Sequence, residues 1–404
     1  MESKKKVLIL TADAGFGHRS AAMAIKKALE EKENVEFEVS IVNPLDNDKA
    51  PFFLRESQSE YDKWVRNVPE LYKFGYEISD AAIPVSILET ILTVTLFEVI
   101  RETLEENQPD IVVNTYPLYQ APFIAVRSLL KMDIPIATII TDLATVHNIW
   151  FHEDVDLLIV PTSKVKEDAI KAGLSVDKIS EIGIPVNPKI FLLNEDKQKL
   201  RKNLGWDEDK TTILAVGSKR VEHFKEYLHV LNHTGFDFQL VIVTGRDKKL
   251  YEELEKIEWH KPVILYEFVE NMPEFMKASD LLISKAGGLI VTEGLASGLP
   301  IIIVDAIPGQ ETGNAKFVED AQAGFWVKNS IDFLETISHL FIKNREKLQI
   351  IQKNAENKGK PSAAIQIVDL IINQLSRKQY QSKPKIDLIK KLEELLLANH
   401  IHWK

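Results

Sequence analysis

The chain has 404 residues, 45% hydrophobic and 27% charged, a length at which one core usually gives way to two domains. Its 60 Asp and Glu outnumber 50 Lys and Arg, and the formal charge of -10 argues against a general nucleic-acid partner. The absence of cysteine excludes disulfides, thiolate metal sites and cysteine nucleophiles.

In chain order, MESKKKVLIL passes from three lysines straight into a strand-like run with no long apolar signal region, so a cytoplasmic protein is expected. Strand-like apolar runs follow at 7–12, 37–43, 111–116, 136–141 and 157–162. Helical stretches alternate with them at Ser20–Lys32, Leu54–Tyr76, Ile87–Glu106 and Lys164–Ala172. The segment Ala82–Ile100 is apolar for almost a membrane span but carries Glu89 and Glu98, which are expensive in a bilayer. It reads as a core or lid helix, or as a face that contacts a membrane surface.

Pro185 and Pro188 break regular structure in Gly183–Trp206, where the domain boundary is expected. The strand pattern restarts at 211–218, 238–245, 263–269, 281–286 and 300–306. Helices are expected from Ile331 onward, the last an amphipathic one over 376–404. Two runs of about five parallel strands make an α/β protein of two Rossmann-like domains, 1–190 and 191–375, whose parallel sheets face a central cleft.

Three motifs follow strands. In Ala14-Gly15-Phe16-Gly17-His18, Ser20 stands where a dinucleotide fingerprint needs a third glycine or alanine, which argues against NAD. His18, at a helix start, should stay neutral and suits a general base, or it simply caps the helix. In the second half, Ala286-Gly287-Gly288 ends a strand and opens a helix, offering amides to a diphosphate. Glu293 lies five residues beyond Gly288, and Pro308-Gly309-Gln310-Glu311 follows the next strand with an amide and a carboxylate suited to sugar hydroxyls. The third, Thr141–His152, holds Asp142, His147, Trp150 and His152 without a carboxylate at metal-site spacing, so no metal is expected. Asp142 either orients His18 or an acceptor, or caps the next helix.

In this order the pieces resemble the family of processive diacylglycerol glucosyltransferases and monogalactosyldiacylglycerol synthases. The resemblance rests on LTADAGFGHRSAAMAI, QPDIVVNTYP, ITDLATVHNIWFHEDVDLLIVPTSKVKEDAIKAGL, GIPVNP and the block from Ser284 to Ala315, about residues 5 to 330. It implies a GT-B fold, an N-terminal acceptor domain and a C-terminal donor domain. It further implies inverting transfer of a hexose, glucose before galactose, from a UDP-sugar substrate to diacylglycerol, with no cofactor. His18 falls on the family's base, with Asp142 beside it. Gly17, Gly217, Ser218, Phe268, Val269, Ala286, Gly287, Gly288 and Glu293 fall on the nucleotide side. Gln310, Glu311 and Asn314 fall on the sugar loop, and His147 and Trp150 on the acceptor side. GSKRVE departs from the family's glycine-rich turn after Val216, which leaves Lys219 or Arg220 as a substitute cation. The apolar helix near residues 83–100 would meet the inner face of the cell membrane. Alternatives are a lipid-linked N-acetylglucosamine transferase or UDP-sugar 2-epimerase on the same fold, and a non-catalytic nucleotide-sugar sensor.

Overall fold

The computed structural model describes residues 4–13, 16–33, 35–52, 54–55, 85–218, 221, 223–308, 311–342 and 345–376. The expectations for Gly15, the helix beyond residue 55, Lys219, Arg220, Gln310 and the terminal helix beyond Ser376 lie outside the described residues.

Residues up to Pro185, joined by the helix Ala363–Ser376, form one compact unit, and Val186–Ser362 forms the other. The strands of the first unit are β1 (Lys5–Leu10), β2 (Phe37–Val42), β3 (Ile111–Asn114), β4 (Ile136–Ile139), β5 (Leu157–Val160) and β6 (Ile179–Glu181). They run parallel in the order β2-β1-β3-β4-β5-β6. Successive residues alternate between the two faces, as a pleated strand requires. Leu8, Leu10, Val112 and Leu158 pack toward the helices Val85–Asn107 and Gln120–Leu129. Val7, Ile9, Ile111, Val113 and Ile159 pack toward the helix Phe16–Glu30 and toward Ile367, Val368 and Ile371. Helices on both faces explain why these strands read as unbroken apolar runs.

The second unit repeats the plan with β7 (Thr212–Val216), β8 (Gln239–Val243), β9 (Val263–Tyr266), β10 (Leu281–Lys285), β11 (Ile301–Asp305) and β12 (Gly324–Trp326). Its parallel order is β12-β11-β10-β7-β8-β9. Each sheet thus holds six strands among the described residues, one more than expected in each case. The additions, β6 and β12, are three-residue edge strands.

The division departs from the expected spans in one respect. The helix Ala363–Ser376, assigned by sequence to the second domain, packs on the helix Phe16–Glu30 of the first. Ile367, Val368 and Ile371 are fully buried there, and Lys32 pairs with Asp369. The apolar helix is also less open than its composition suggested. Leu92, Leu96, Phe97, Val99 and Ile100 are core residues, leaving Ile87 and Ile91 about half exposed, at 50% and 49%. Thr90, Thr95 and Thr103 turn their hydroxyls back onto carbonyls one turn earlier, hiding their polarity within the helix. No described helix is long and apolar enough to cross a membrane.

A buried ion pair ties helix to sheet at the N-terminal ends of β4 and β5. Arg127 Nη1 donates to Asp156 Oδ2 at 2.6 Å, Arg127 Nη2 donates to Asp154 O at 2.9 Å, and Asp156 Oδ2 also accepts the N–H of Ile136 at 2.7 Å. Breaking one side strands the other charge, so Asp156→Asn should lower unfolding free energy by about 3–5 kcal/mol. A urea titration should show a lower midpoint with an unchanged slope; an unmoved midpoint would refute it.

Candidate active site

Strand order picks out one place in each sheet. In the first, the chain leaves in opposite directions from β1 and β3, and in the second from β7 and β10. Ligands of open parallel sheets bind beyond the strand C-termini at such switch points.

At the first of these, His18 is the third residue of the helix Phe16–Glu30. Its Nδ1 lies 2.8 Å from the carbonyl oxygen of Thr115, just past β3, and 2.8 Å from Thr141 Oγ1, just past β4. A carbonyl can only accept, so Nδ1 carries the proton and Nε2 keeps its lone pair. Burial holds the imidazole below its ordinary range, against the opposing field of Asp142 and the bond to Thr115. The ring is therefore neutral near pH 7, which is the state a general base needs. Tyr116 meets it edge-on at 5.0 Å between centroids, and Trp150 lies at 6.2 Å.

Asp142 is part of the same group. Burial pushes its carboxyl up, and the fields of His18 and His147 and the bond from Trp150 pull it back. Its Oδ2 accepts Trp150 Nε1 at 2.7 Å, while His18 Nδ1 meets Thr115 and Thr141. Asp142 thus acts on His18 through its field, and Thr115 and Thr141 set the ring. Trp150 is 1% exposed, so its indole is a core wall and not an open platform for an acceptor. His147 is also buried, and its Nδ1 accepts the N–H of Ile149 at 3.1 Å as a helix cap. Gly17 borders open space: a Cβ there would meet no described atom within 4 Å.

At the second switch point, Ala286-Gly287-Gly288 leads from β10 into the helix Gly288–Ala296. The N–H of Ala286 donates to Asp305 O at 2.7 Å and its carbonyl accepts Asn314 Nδ2 at 2.9 Å, so Ala286 and Asn314 clamp two loops together. The amides left for a ligand are those of the first helical turn, from Gly288 onward. Glu293 is half-buried on this helix, and its carboxyl is pushed up to about 7 by burial, with no cation or hydrogen-bond partner among the described residues. Glu311 is buried, pairs with Lys285 and accepts the N–H of Ile307 at 3.1 Å.

Gly217 has a packing reason of its own: a Cβ would stand 2.6 Å from Phe224 Cε1. Gly245, at φ +64°, lies against the Gly217 carbonyl, and Arg246, at φ 67°, stacks 4.1 Å over the half-exposed ring of Phe268. Ser218 lies just past β7 and Val269 just past β9. Among the described residues no group of three or more His, Asp or Glu converges to hold a metal. Sequence reasoning missed Thr115, Thr141, Lys285 and Arg246. Thr115 and Thr141 reach His18 across 97 and 123 residues, a separation that leaves no local signal.

Comparison with known proteins agrees with this layout. Residues 18–186 match the family model for monogalactosyldiacylglycerol (MGDG) synthase, and 196–358 match that for glycosyl transferases group 1. The chain is 33% identical to the chloroplastic monogalactosyldiacylglycerol synthase of Spinacia oleracea, covering 94% of this chain and 75% of that protein. It is 33% identical to monogalactosyldiacylglycerol synthase 1 of Arabidopsis thaliana, covering 90% and 70%. Among solved structures, the MurG of Acinetobacter baumannii has 15% identity and a TM-score of 0.58, over 92% of this chain and 100% of that one. The UDP-GlcNAc 2-epimerase from Neisseria meningitidis has 16% identity and a TM-score of 0.57, over 91% and 100%. Those two likenesses show the fold, an α/β architecture of the GT-B type with two Rossmann-like units. The motifs, the two matched family models and the identity along most of the chain lead to one assignment: this chain is a UDP-sugar-dependent glycosyltransferase and belongs to the monogalactosyldiacylglycerol synthase family.

Proposed function

We propose that the protein transfers a hexose, with inversion, from a UDP-sugar to the free hydroxyl of diacylglycerol. The observation that carries the reaction type is His18, a neutral imidazole whose protonated Nδ1 is tied to Thr115 O. Its Nε2 takes the proton of the attacking hydroxyl while that oxygen bonds to the anomeric carbon and UDP departs with the electron pair. The first-unit site supplies the base, and the glycine turn of the second supplies amides for the leaving diphosphate. Glu293 receives the ribose hydroxyls, Phe268 and Val269 border the base, and the loop carrying Gln310, Glu311 and Asn314 serves the hexose. On this reading the amides meet the charge of the diphosphate, and no metal or cofactor is invoked.

The acceptor and the sugar rest on the relatives, each of which is named for monogalactosyldiacylglycerol. Those names favour galactose, against the preference for glucose that accompanied the family resemblance. A diacylglycerol acceptor resides in a membrane, so we place the protein peripherally on one, with Ile87 and Ile91 as the exposed apolar part of the helix Val85–Asn107. The aminosugar transferase and epimerase alternatives draw on fold likeness alone.

Offered UDP-galactose and UDP-glucose separately with diacylglycerol vesicles, the protein should turn over UDP-galactose to galactosyl diacylglycerol and UDP in preference to UDP-glucose, read by mass spectrometry. Lipid-independent UDP release would sink the reading. In the same assay His18→Ala should lower kcat by about 100-fold or more while UDP affinity stays unchanged.

Glu293 adds a pH dependence. Its ionised form is the better acceptor for two ribose hydroxyls, so UDP affinity should rise between pH 6 and pH 8 as the carboxyl titrates near 7. The same shift costs stability: below about pH 4.5 both folded and unfolded forms hold the proton, and the penalty is complete above pH 7. Glu293→Gln should therefore be more stable than the wild type at pH 8, on the order of 1–2 kcal/mol for a half-buried group. It should also bind UDP more weakly and lose the pH dependence; a variant that keeps the wild-type pH profile would refute the assignment.

Changing Ile87 and Ile91 to Ser should reduce co-sedimentation with vesicles without lowering the melting temperature, because both side chains are half exposed. Undiminished co-sedimentation would remove this helix from the membrane contact.

A further inference from the structure

Lys285 is the last residue of β10, two positions before Gly287, and its ammonium is paired with the carboxylate of Glu311. Glu311 is buried and Lys285 partly so, with 8% and 16% of their side chains exposed. A pair this deep recovers little or none of its desolvation cost as net stability, so the placement points to a use other than folding. Glu311 is the hydrogen-bond partner of this ammonium among the described residues, and an ammonium has three donors. The remaining donors border the glycine turn: a Cβ on Gly287 would stand 3.4 Å from Lys285 Cε and 3.5 Å from Nζ. The second oxygen of Glu311 accepts the N–H of Ile307 at 3.1 Å, which fixes the carboxylate and hence the lysine that it holds.

We propose that Lys285 is the cation that binds the diphosphate of the donor, and that Glu311 is the positioning residue that holds its ammonium beside the glycine turn. The inference rests on the reading of that turn as the donor site. The electron pair of the breaking sugar–phosphate bond passes to the phosphate oxygen, where the ammonium and the helix amides meet the growing charge. Lys285 keeps its proton throughout, since the proton of the acceptor hydroxyl goes to His18. Because the lysine is already ion-paired and ordered before the donor arrives, no reorganisation is needed at the moment of reaction.

The test compares UDP with uridine, which lacks the diphosphate, by calorimetry on the full chain. Lys285→Met should weaken UDP binding by about 10- to 100-fold and leave uridine binding unchanged, with kcat reduced by about 100-fold. Lys285→Arg, which keeps a cation, should retain a preference for UDP over uridine. Glu311→Gln should narrow that preference, and an unaltered ratio would refute the positioning role. Equal losses for UDP and uridine in Lys285→Met would mean that the lysine only packs the loops, and unchanged UDP binding would overturn the proposal outright. A wild-type chain that binds neither compound would instead refute the donor-site reading beneath it.

Discussion

Each sheet sends its crossovers in opposite directions from a single strand pair, β1 and β3 in the first unit, β7 and β10 in the second. Parallel strands joined by right-handed crossovers must place their connecting helices on both faces, and the loops part company where the winding reverses. At that gap the backbone past the strand ends is free to turn toward a ligand. The carbonyl of Thr115 stands there in the first unit, and Gly287 in the second. The rest of both sites is arranged around these two points. His18 is brought to Thr115 by the helix that follows β1, and Thr141 arrives from the end of β4. In the second unit the loop after β11 returns to the same turn, carrying Glu311 to Lys285 and Asn314 to Ala286.

The same constraint explains what the sequence could and could not reveal. A parallel strand buried on both faces is mostly apolar along its length, and the longer strands were visible as such runs. ISE at β6 and GFW at β12 escaped notice because edge strands of three residues need no such run. The destination of the helix Ala363–Ser376 was invisible for another reason. Its apolar stripe specifies that it packs, while the choice of surface depends on residues near the start of the chain, such as Ile25 and Leu29. Within the sites, His18, Gly287 and Glu293 were legible because their positions relative to a strand end are local facts. Thr115, Thr141 and Lys285 were not, since each matters through a partner far away in sequence. Trp150, placed on the acceptor side by the resemblance, is a buried wall whose indole N–H steadies Asp142.

Two carboxylates flank the glycine turn of the second unit, and their environments drive them to different states. Glu311 is deeper but is matched by an ammonium and a backbone N–H. Glu293 is less deep and is matched by nothing among the described residues, so its carboxyl is pushed up to about 7. Five residues of helix separate Glu293 from Gly288, about 7.5 Å along the axis, so its charge is displaced from the amides of the first turn. A diphosphate at the turn and a ribose farther along the helix would then meet opposite demands. The phosphate needs a cation and amides already in place; on the proposed reading Lys285, held by Glu311, would be the cation and the first turn of the helix from Gly288 would give the amides. The ribose needs an acceptor whose hunger for hydrogen bonds is unmet, and an unpartnered half-buried carboxylate is such an acceptor. Leaving Glu293 unsatisfied in the free protein stores a cost that hydroxyl donors can relieve on binding. On the proposed reading that cost would favour a nucleoside over a simple anion at this turn, whereas a fully satisfied pair like that of Glu311 could confer no such preference.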